Sequence, residues 1–111
     1  MLLGILAGCD RSPPKPTPDQ VKAWCVQACT QADECGIETG RTKDECLARC
    51  DSEEGLGTFD SRCGAESFVR NSCTVKLSCE QIATIGKAPL QEGSPCYKEE
   101  SAVTDCINAG E

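Results

Sequence analysis

The sequence predicts an all-α domain that is cross-linked by disulfide bonds. Apolar residues recur at spacings of three and four, the period of a helix, and no segment sustains the alternation of a strand. The chain has 111 residues and eleven cysteines, but its aromatic residues are only one Trp, one Tyr and two Phe. So small an apolar core is expected to need cross-links for part of its stability. We therefore expect one small bundle of about four to five short helices.

The first predicted helix begins with a capping box. Thr17 suits the N-cap position, Pro18 suits the first helical position, and Gln20 stands three residues after the cap. The helix is expected to end near Gly36, because glycine commonly follows the last helical turn. Its apolar and cysteine-bearing stripe consists of Val21, Trp24, Cys25, Ala28, Cys29, Ala32 and Cys35.

The second predicted helix also begins with a capping box, which Thr42 and Glu45 form. It is expected to run to about Ser52, because residues 53–57 contain two glycines that break it. Its inner face carries Cys46, Leu47 and Cys50.

Three further helices follow. The third is expected over residues 62–74, where apolar residues and cysteines again recur at helical spacing. Ser78 begins a short fourth helix, which Gly86 ends. Ser94, followed by Pro95, begins a fifth.

Two C-x3-C pairs predict how the first two helices are joined. Residues four apart lie on one face of a helix, so each pair presents two sulfurs in a column. If the two helices are antiparallel and closely packed, the outer cysteines meet each other and the inner cysteines meet each other. The expected disulfides are Cys25 with Cys50 and Cys29 with Cys46.

A second symmetric set of cysteines has the spacing C-x9-C, which suggests another cross-linked pair of helices. Two cysteines are then left for each other, and they would join the two helix pairs. Spacing alone leaves other pairings of these six cysteines open. The expected disulfides are Cys63 with Cys106, Cys73 with Cys96, and Cys35 with Cys79.

The N-terminus carries a lipobox. Residues 6–9 read Leu-Ala-Gly-Cys, the bacterial signal for diacylglycerol transfer to the cysteine and cleavage before it. Lipidation of Cys9 leaves ten other cysteines, an even number that can close completely into disulfides. We therefore expect residues 1–8 to be a signal peptide and Cys9 to attach the protein to a membrane. Since no basic residue precedes Cys9, the natural leader is expected to begin further upstream.

A proline-rich tether is expected between the lipid and the domain. Residues 10–19 contain four of the six prolines and no other apolar side chain. An extended segment of this kind rises about 3.1 Å per residue, so it would hold the domain up to roughly 30 Å from the lipid surface. The expected division is a signal peptide at 1–8, the lipidated cysteine and tether at 9–17, and a helical domain at 18–111.

Parts of the chain resemble two families. Between residues 25 and 50 the twin C-x3-C hairpin resembles the small Tim chaperones, and this likeness implies only the cross-linked hairpin. From the lipobox to Cys106 the chain resembles the small cysteine-rich lipoproteins of the myxobacterial type. That resemblance implies a location in the cell envelope and a cross-linked helical fold, and it implies no catalytic residue. It rests on the segments WCVQAC, ADEC, DECLARC, FVRNSC, LSCEQI, SPCYKE and TDCI, in that order.

Composition argues against several classes of function. The chain has no histidine and no C-x2-C, so the usual zinc sets, haem ligation and histidine-dependent nucleophilic catalysis lack their residues. The net charge of −7 disfavours nucleic acid, which requires a cationic surface. We therefore expect no metal, no cofactor, no catalytic residue and no enzymatic activity. Stable disulfides would require an oxidising compartment such as the periplasm or the cell surface.

The aromatic residues divide into two expected groups. Trp24 and Phe68 lie on cysteine-bearing helical faces, so they are expected in the core. Phe59 and Tyr97 are expected to be exposed. Phe59 lies in a glycine-rich loop, where recognition residues are common, so it is the candidate for binding a partner.

Three hypotheses of function are compatible with the sequence. The first is a non-catalytic, lipid-anchored protein of the bacterial cell envelope that has a structural or protein-binding role. The second is a secreted-type inhibitor or effector, which would share the high density of disulfides. The third is a redox or metal-binding protein that uses some of the ten cysteines as thiols.

Overall fold

The computed structural model describes residues 13–85 and 91–110, and over these residues the protein is helical without any strand. The prediction of an all-α domain is therefore confirmed. Cys9, the expected signal peptide and Gly86 lie outside the described residues. The six helices of the described part are α1 (Pro18–Glu34), α2 (Lys43–Arg49), α3 (Glu53–Leu56), α4 (Gly64–Thr74), α5 (Cys79–Ile85) and α6 (Tyr97–Ala109).

Both predicted capping boxes are present. At the start of α1, the amide of Thr17 donates to Gln20 Oε1 over 2.8 Å, and the amide of Gln20 donates to Thr17 Oγ1 over 3.2 Å. At the start of α2, the corresponding distances between Thr42 and Glu45 are 2.8 and 3.1 Å. Each box satisfies two amides that have no partner within the helix.

The end of α2 differs from the expectation. The helix stops at Arg49 instead of continuing to about Ser52, and residues 53–56 form the short helix α3 instead of a loop. Ser52 caps α3, because its hydroxyl accepts from the amide of Gly55 over 2.9 Å. Gly55 is buried against the carbonyl of Arg49, where a Cβ would have no room. The glycine thus permits the close approach of α3 to the end of α2.

The first helix pair consists of α1 and α2, which two disulfides join. The second helix pair consists of α4 and α6, which run antiparallel. One disulfide joins the start of α4 to the end of α6, and another joins the end of α4 to the start of α6. The expected start of α6 at Ser94 is wrong. Cys96 occupies the N-cap position with a left-handed backbone of φ 59°, which separates the turn at Ser94 from the helix.

Aromatic contacts join the two helix pairs. Phe59 lies between Trp24 of α1 and Phe68 of α4, with ring centroids 5.0 and 5.3 Å apart and both contacts edge-to-face. Trp24 Nε1 also donates to the carbonyl of Asn71 over 3.2 Å. Gln31 of α1 adds a similar bond, since its Nε2 donates to the carbonyl of Thr74 over 2.9 Å. These contacts hold α1 against α4.

The expectation that Phe59 is exposed is wrong. Its side chain is 3% exposed, because α3 and the turn after it reverse the chain and direct the ring between α1 and α4. The candidate partner-binding role of Phe59 therefore loses its basis. Tyr97 is half-buried instead of exposed.

Half-cystines supply much of the small core. Among the described residues, three of the seven buried apolar residues are cysteines. The two disulfides between α1 and α2 also pack side by side, with Cys29 Sγ and Cys50 Sγ 3.9 Å apart. The buried apolar residues are Val21, Cys29, Cys50, Phe59, Cys63, Ala65 and Val103.

Part of the expected tether lies on the domain. Lys15 Nζ donates to the carbonyl of Asp60 over 3.0 Å and to that of Ser61 over 3.3 Å. Pro13 and Pro16 are half-buried. The ammonium binds at the turn before α4 because that turn offers two backbone acceptors close together. Residues 13–17 therefore lie against the domain and are held there by Lys15.

We predict that replacing Phe59 by alanine destabilises the domain by about 3–5 kcal/mol, the usual cost of removing a buried phenylalanine. Denaturant unfolding of the oxidised protein measures this free energy. Val26 is 40% exposed, so Val26→Ala serves as a control and is expected to change stability by less than about 0.5 kcal/mol. Similar losses in the two variants would contradict the central position of Phe59.

We also predict that the first turn of α2 becomes less stable at acidic pH. Hydrogen bonds from the backbone and hydroxyl of Thr42 lower the pKa of Glu45. A carboxyl group whose pKa is lower in the folded state stabilises that state above its unfolded pKa, about 4.3 for glutamate. This stabilisation is lost as pH falls through the folded pKa. The protection of the Cys46 amide against hydrogen exchange, which depends on its bond to the Thr42 carbonyl, measures the effect.

Two comparisons make this measurement specific. Glu45→Gln keeps a hydrogen-bond acceptor without a charge, so its protection is expected to be independent of pH in the acidic range. The box at α1 has glutamine at the same position, so the Val21 amide is an internal reference. If acid lowers the protection of the Cys46 amide equally in Glu45→Gln and in the wild-type protein, the effect does not come from the Glu45 carboxylate.

Candidate functional site

All ten cysteines between residues 25 and 106 are in disulfides. The Cα atoms of each pair lie 5.3 to 6.0 Å apart. The structure thus contains the pairs that the spacing predicts. Two clusters have the separation of a metal site, one of three sulfurs and one of two sulfurs and the Glu99 carboxylate, but their sulfurs are oxidised and therefore are not thiolate ligands. The five pairs are Cys25–Cys50, Cys29–Cys46, Cys35–Cys79, Cys63–Cys106 and Cys73–Cys96.

The Cys35–Cys79 disulfide has the most exposed position. It joins the end of α1 to the start of α5, and Cys79 is exposed. None of the other four pairs contains an exposed cysteine. This bond is therefore the one that a thiol in solution reaches most easily.

A groove between α4 and α6 is the strongest candidate for a binding site. Its volume is about 540 Å³. Apolar groups line its floor, including Val69, which is 40% exposed, and Ala102. Carboxylates lie along both walls. We call this feature the acidic groove, and its lining consists of Pro13, Glu66, Val69, Lys98, Glu99, Ala102, Asp105 and Cys106.

Helical spacing places these residues together. Glu66 and Val69 are three residues apart on α4, so they share one face. On α6, Lys98, Ala102 and Asp105 are separated by four and three residues, so they share the face of that helix that borders the groove. Disulfides at both ends of the pair fix the distance between α4 and α6. The groove is therefore formed before any ligand arrives, which lowers the entropic cost of binding.

The rigidity of the acidic groove extends to the end of α6. Arg62 Nη1 donates to the carbonyl of Cys106 over 2.9 Å, and this cation satisfies a carbonyl in the last turn of the helix. Gly110 lies against the same guanidinium. The guanidinium of Arg62 thus contacts the C-terminal end of the wall formed by α6.

A second hollow lies at the loop between α1 and α2. Its volume is about 450 Å³, and most of its lining comes from the loop itself. Gly36 and Gly40 turn the loop with φ values of 66° and 79°, which favour glycine. Most of the other lining groups are polar or charged, and the side chain of Ile37 is 41% exposed. The acidic groove is the better candidate because it combines rigid helical walls with an apolar floor.

The acidic groove was not predicted from the sequence. The small and charged positions on α6 follow a helical spacing that could have indicated a solvent-facing groove wall. The position of Val69 opposite them depends on how α4 packs against α6, which a linear pattern does not specify. Phe59, the residue expected to bind a partner, is in the core, and Cys9 lies outside the described residues.

Within the described residues, no helix combines the length and apolar composition needed to cross a membrane. Comparisons of the chain with protein-family models, with curated proteins and with solved structures each give no match.

We predict that graded reduction of the folded protein opens Cys35–Cys79 first, because the sulfur of an exposed residue is the most accessible to an attacking thiolate. Peptide mapping after brief reduction and alkylation identifies the first labelled cysteines. Cys29–Cys46, which contains a buried cysteine, is the internal reference. Earlier labelling of Cys29 or Cys46 would contradict this order.

Proposed function

We propose that this chain is a non-catalytic, lipid-anchored module of a bacterial cell envelope that binds another protein through the acidic groove. The observation that carries the proposal is the rigid groove between two helices that are cross-linked at both ends. Preformed clefts with an apolar floor and a few polar groups are the usual form of binding sites. The lipobox at Cys9 supports the mode of attachment.

The disulfides support a location outside the cytoplasm. Five disulfides persist only in an oxidising compartment, because cytoplasmic thiol systems reduce such bonds. The resemblance to small cysteine-rich lipoproteins agrees with this compartment. A lipid on Cys9 would then hold the domain at the surface of a membrane.

The contact of Lys15 with the domain limits the distance from that membrane. Only the segment between Cys9 and Pro13 is left to act as a spacer, and four residues extend at most about 14 Å. Pro13 also lines the acidic groove. In an anchored protein the groove would therefore lie close to the lipid surface, and its partner would be a protein that reaches this layer.

Lipidation is tested by intact mass and membrane fractionation of the full chain, expressed behind a lipoprotein signal peptide of a host bacterium that modifies its own lipoproteins. We expect the protein in the membrane fraction, with a diacylglycerol on Cys9. Cys9→Ser should be found in the soluble fraction, whereas Ser12→Ala is a control that should keep both the lipid and the membrane location. An unmodified protein in the wild-type sample would overturn the lipid anchor.

The groove is tested by photo-crosslinking in the same cells. A photoreactive amino acid at Ala102 lies in the acidic groove, and the same amino acid at Ala83 lies on the exposed surface of α5. We expect a discrete crosslinked band from position 102 and not from position 83. Equal patterns at the two positions would overturn the groove as the binding site.

A further inference from the structure

We infer that the acidic groove binds a cationic amphipathic helix, about two turns long, that belongs to the partner protein. This inference rests on the proposed function and specifies the chemistry of the partner. It follows from the charge, the shape and the length of the groove.

The described lining of the groove has more carboxylates than cations. Its lining contains three carboxylates, those of Glu66, Glu99 and Asp105, and one ammonium, that of Lys98. Within the described part of the chain, no salt bridge uses any of these three carboxylates. Lysine or arginine side chains on a ligand would therefore find available partners at the rim.

The nearest arginine on α4 does not neutralise the groove. Arg70 follows Val69 in the sequence, but its guanidinium is directed to Glu100, with Nη1 3.2 Å from Oε1, and to Asn71. Glu100 is not part of the groove lining. The ion pair thus holds this cation beside the groove.

The shape of the groove suits a helix. Two antiparallel helices form its walls, and the floor between them is apolar around Val69 and Ala102. A third helix that lies between them would place its apolar side chains, at positions i and i+3 or i+4, over that floor. Its flanking basic residues would reach the carboxylates on both walls.

The length of the groove sets the length of the ligand. On α6 the lining extends from Lys98 to Cys106. At about 1.5 Å per residue, eight residues correspond to about 12 Å, or roughly two helical turns. Pro13 also lines the groove, so the bound helix would contact Pro13 as well.

The charge also selects among possible occupants. A second copy of this chain carries a net charge of −7, and its own acidic groove would repel this one. Nucleic acid is excluded from the groove by the same sign of charge. A basic helix of a different protein is the occupant that the charges favour.

The test uses the full, oxidised chain with the substitution Cys9→Ser, and a fluorescent peptide of about fourteen residues with leucine and lysine at helical spacing. Fluorescence anisotropy measures binding. One control peptide has glutamate in place of lysine, and another has the same leucine and lysine content in scrambled order. We expect binding of the first peptide only, and a decrease in affinity with salt because rim charges contribute.

Matched variants locate the binding site. Ala102→Arg places a large cation in the groove and is expected to weaken binding at least about tenfold, equal to 1.4 kcal/mol. Ala83→Arg makes the same change in net charge at an exposed position on α5 and is expected to weaken binding less than about twofold. The double variant Glu99→Gln, Asp105→Asn is likewise expected to weaken binding more than the double variant Glu38→Gln, Glu80→Gln. Glu38 and Glu80 are exposed and lie outside the groove.

Several outcomes would overturn the inference. These are equal weakening by Ala102→Arg and Ala83→Arg, equal binding of the scrambled peptide, or binding of the glutamate peptide. Intact mass and circular dichroism establish that each variant keeps five disulfides and its helices. A failed peptide test would not by itself overturn the proposed function. Lipidation and crosslinking from position 102 test that function separately, because neither requires a cationic partner.

Discussion

Cross-linking of antiparallel helices is the constraint on which this structure depends. Each disulfide closes a loop of the unfolded chain, a constraint typically worth 2–4 kcal/mol on the chain-entropy account. The core itself is small, and half-cystines form part of it. Because the cross-links fix the separation of the helices, the protein can leave a groove between α4 and α6 open to solvent. A domain held only by apolar packing would tend to close such a gap.

The junction between the two helix pairs depends on a different interaction. Phe59 contacts one aromatic ring on α1 and another on α4. Among the described residues, Cys35–Cys79 is the one disulfide that joins α1 to α5, and it lies at the surface. The packing of Phe59 between two half-buried rings, together with the hydrogen bonds from Trp24 and Gln31, therefore sets the orientation of the pairs. The acidic groove lies within one pair, so its shape does not depend on this junction.

Local signals explain what could be predicted from the sequence. The capping boxes at Thr17 and Thr42 involve residues three apart, and the paired cysteines follow from helical spacing. The positions of Phe59 and Lys15 depend on contacts with distant segments. Phe59 becomes buried only because α3 turns the chain, and Lys15 binds carbonyls 45 and 46 residues away. The acidic groove was missed for the same reason, since its two walls come from separate helices.

The order of the cross-links has a mechanical consequence. Tension applied through Cys9 would first detach Lys15 and then unwind α1 from Thr17 onward. Unwinding would stop at Cys25, where the force passes through sulfur to Cys50. No disulfide shortens the path between Cys50 and Cys63, so the segment 51–62, which contains α3 and Phe59, would carry the load next. The helices α4 and α6, which are cross-linked at both ends, would keep their separation while these segments extend.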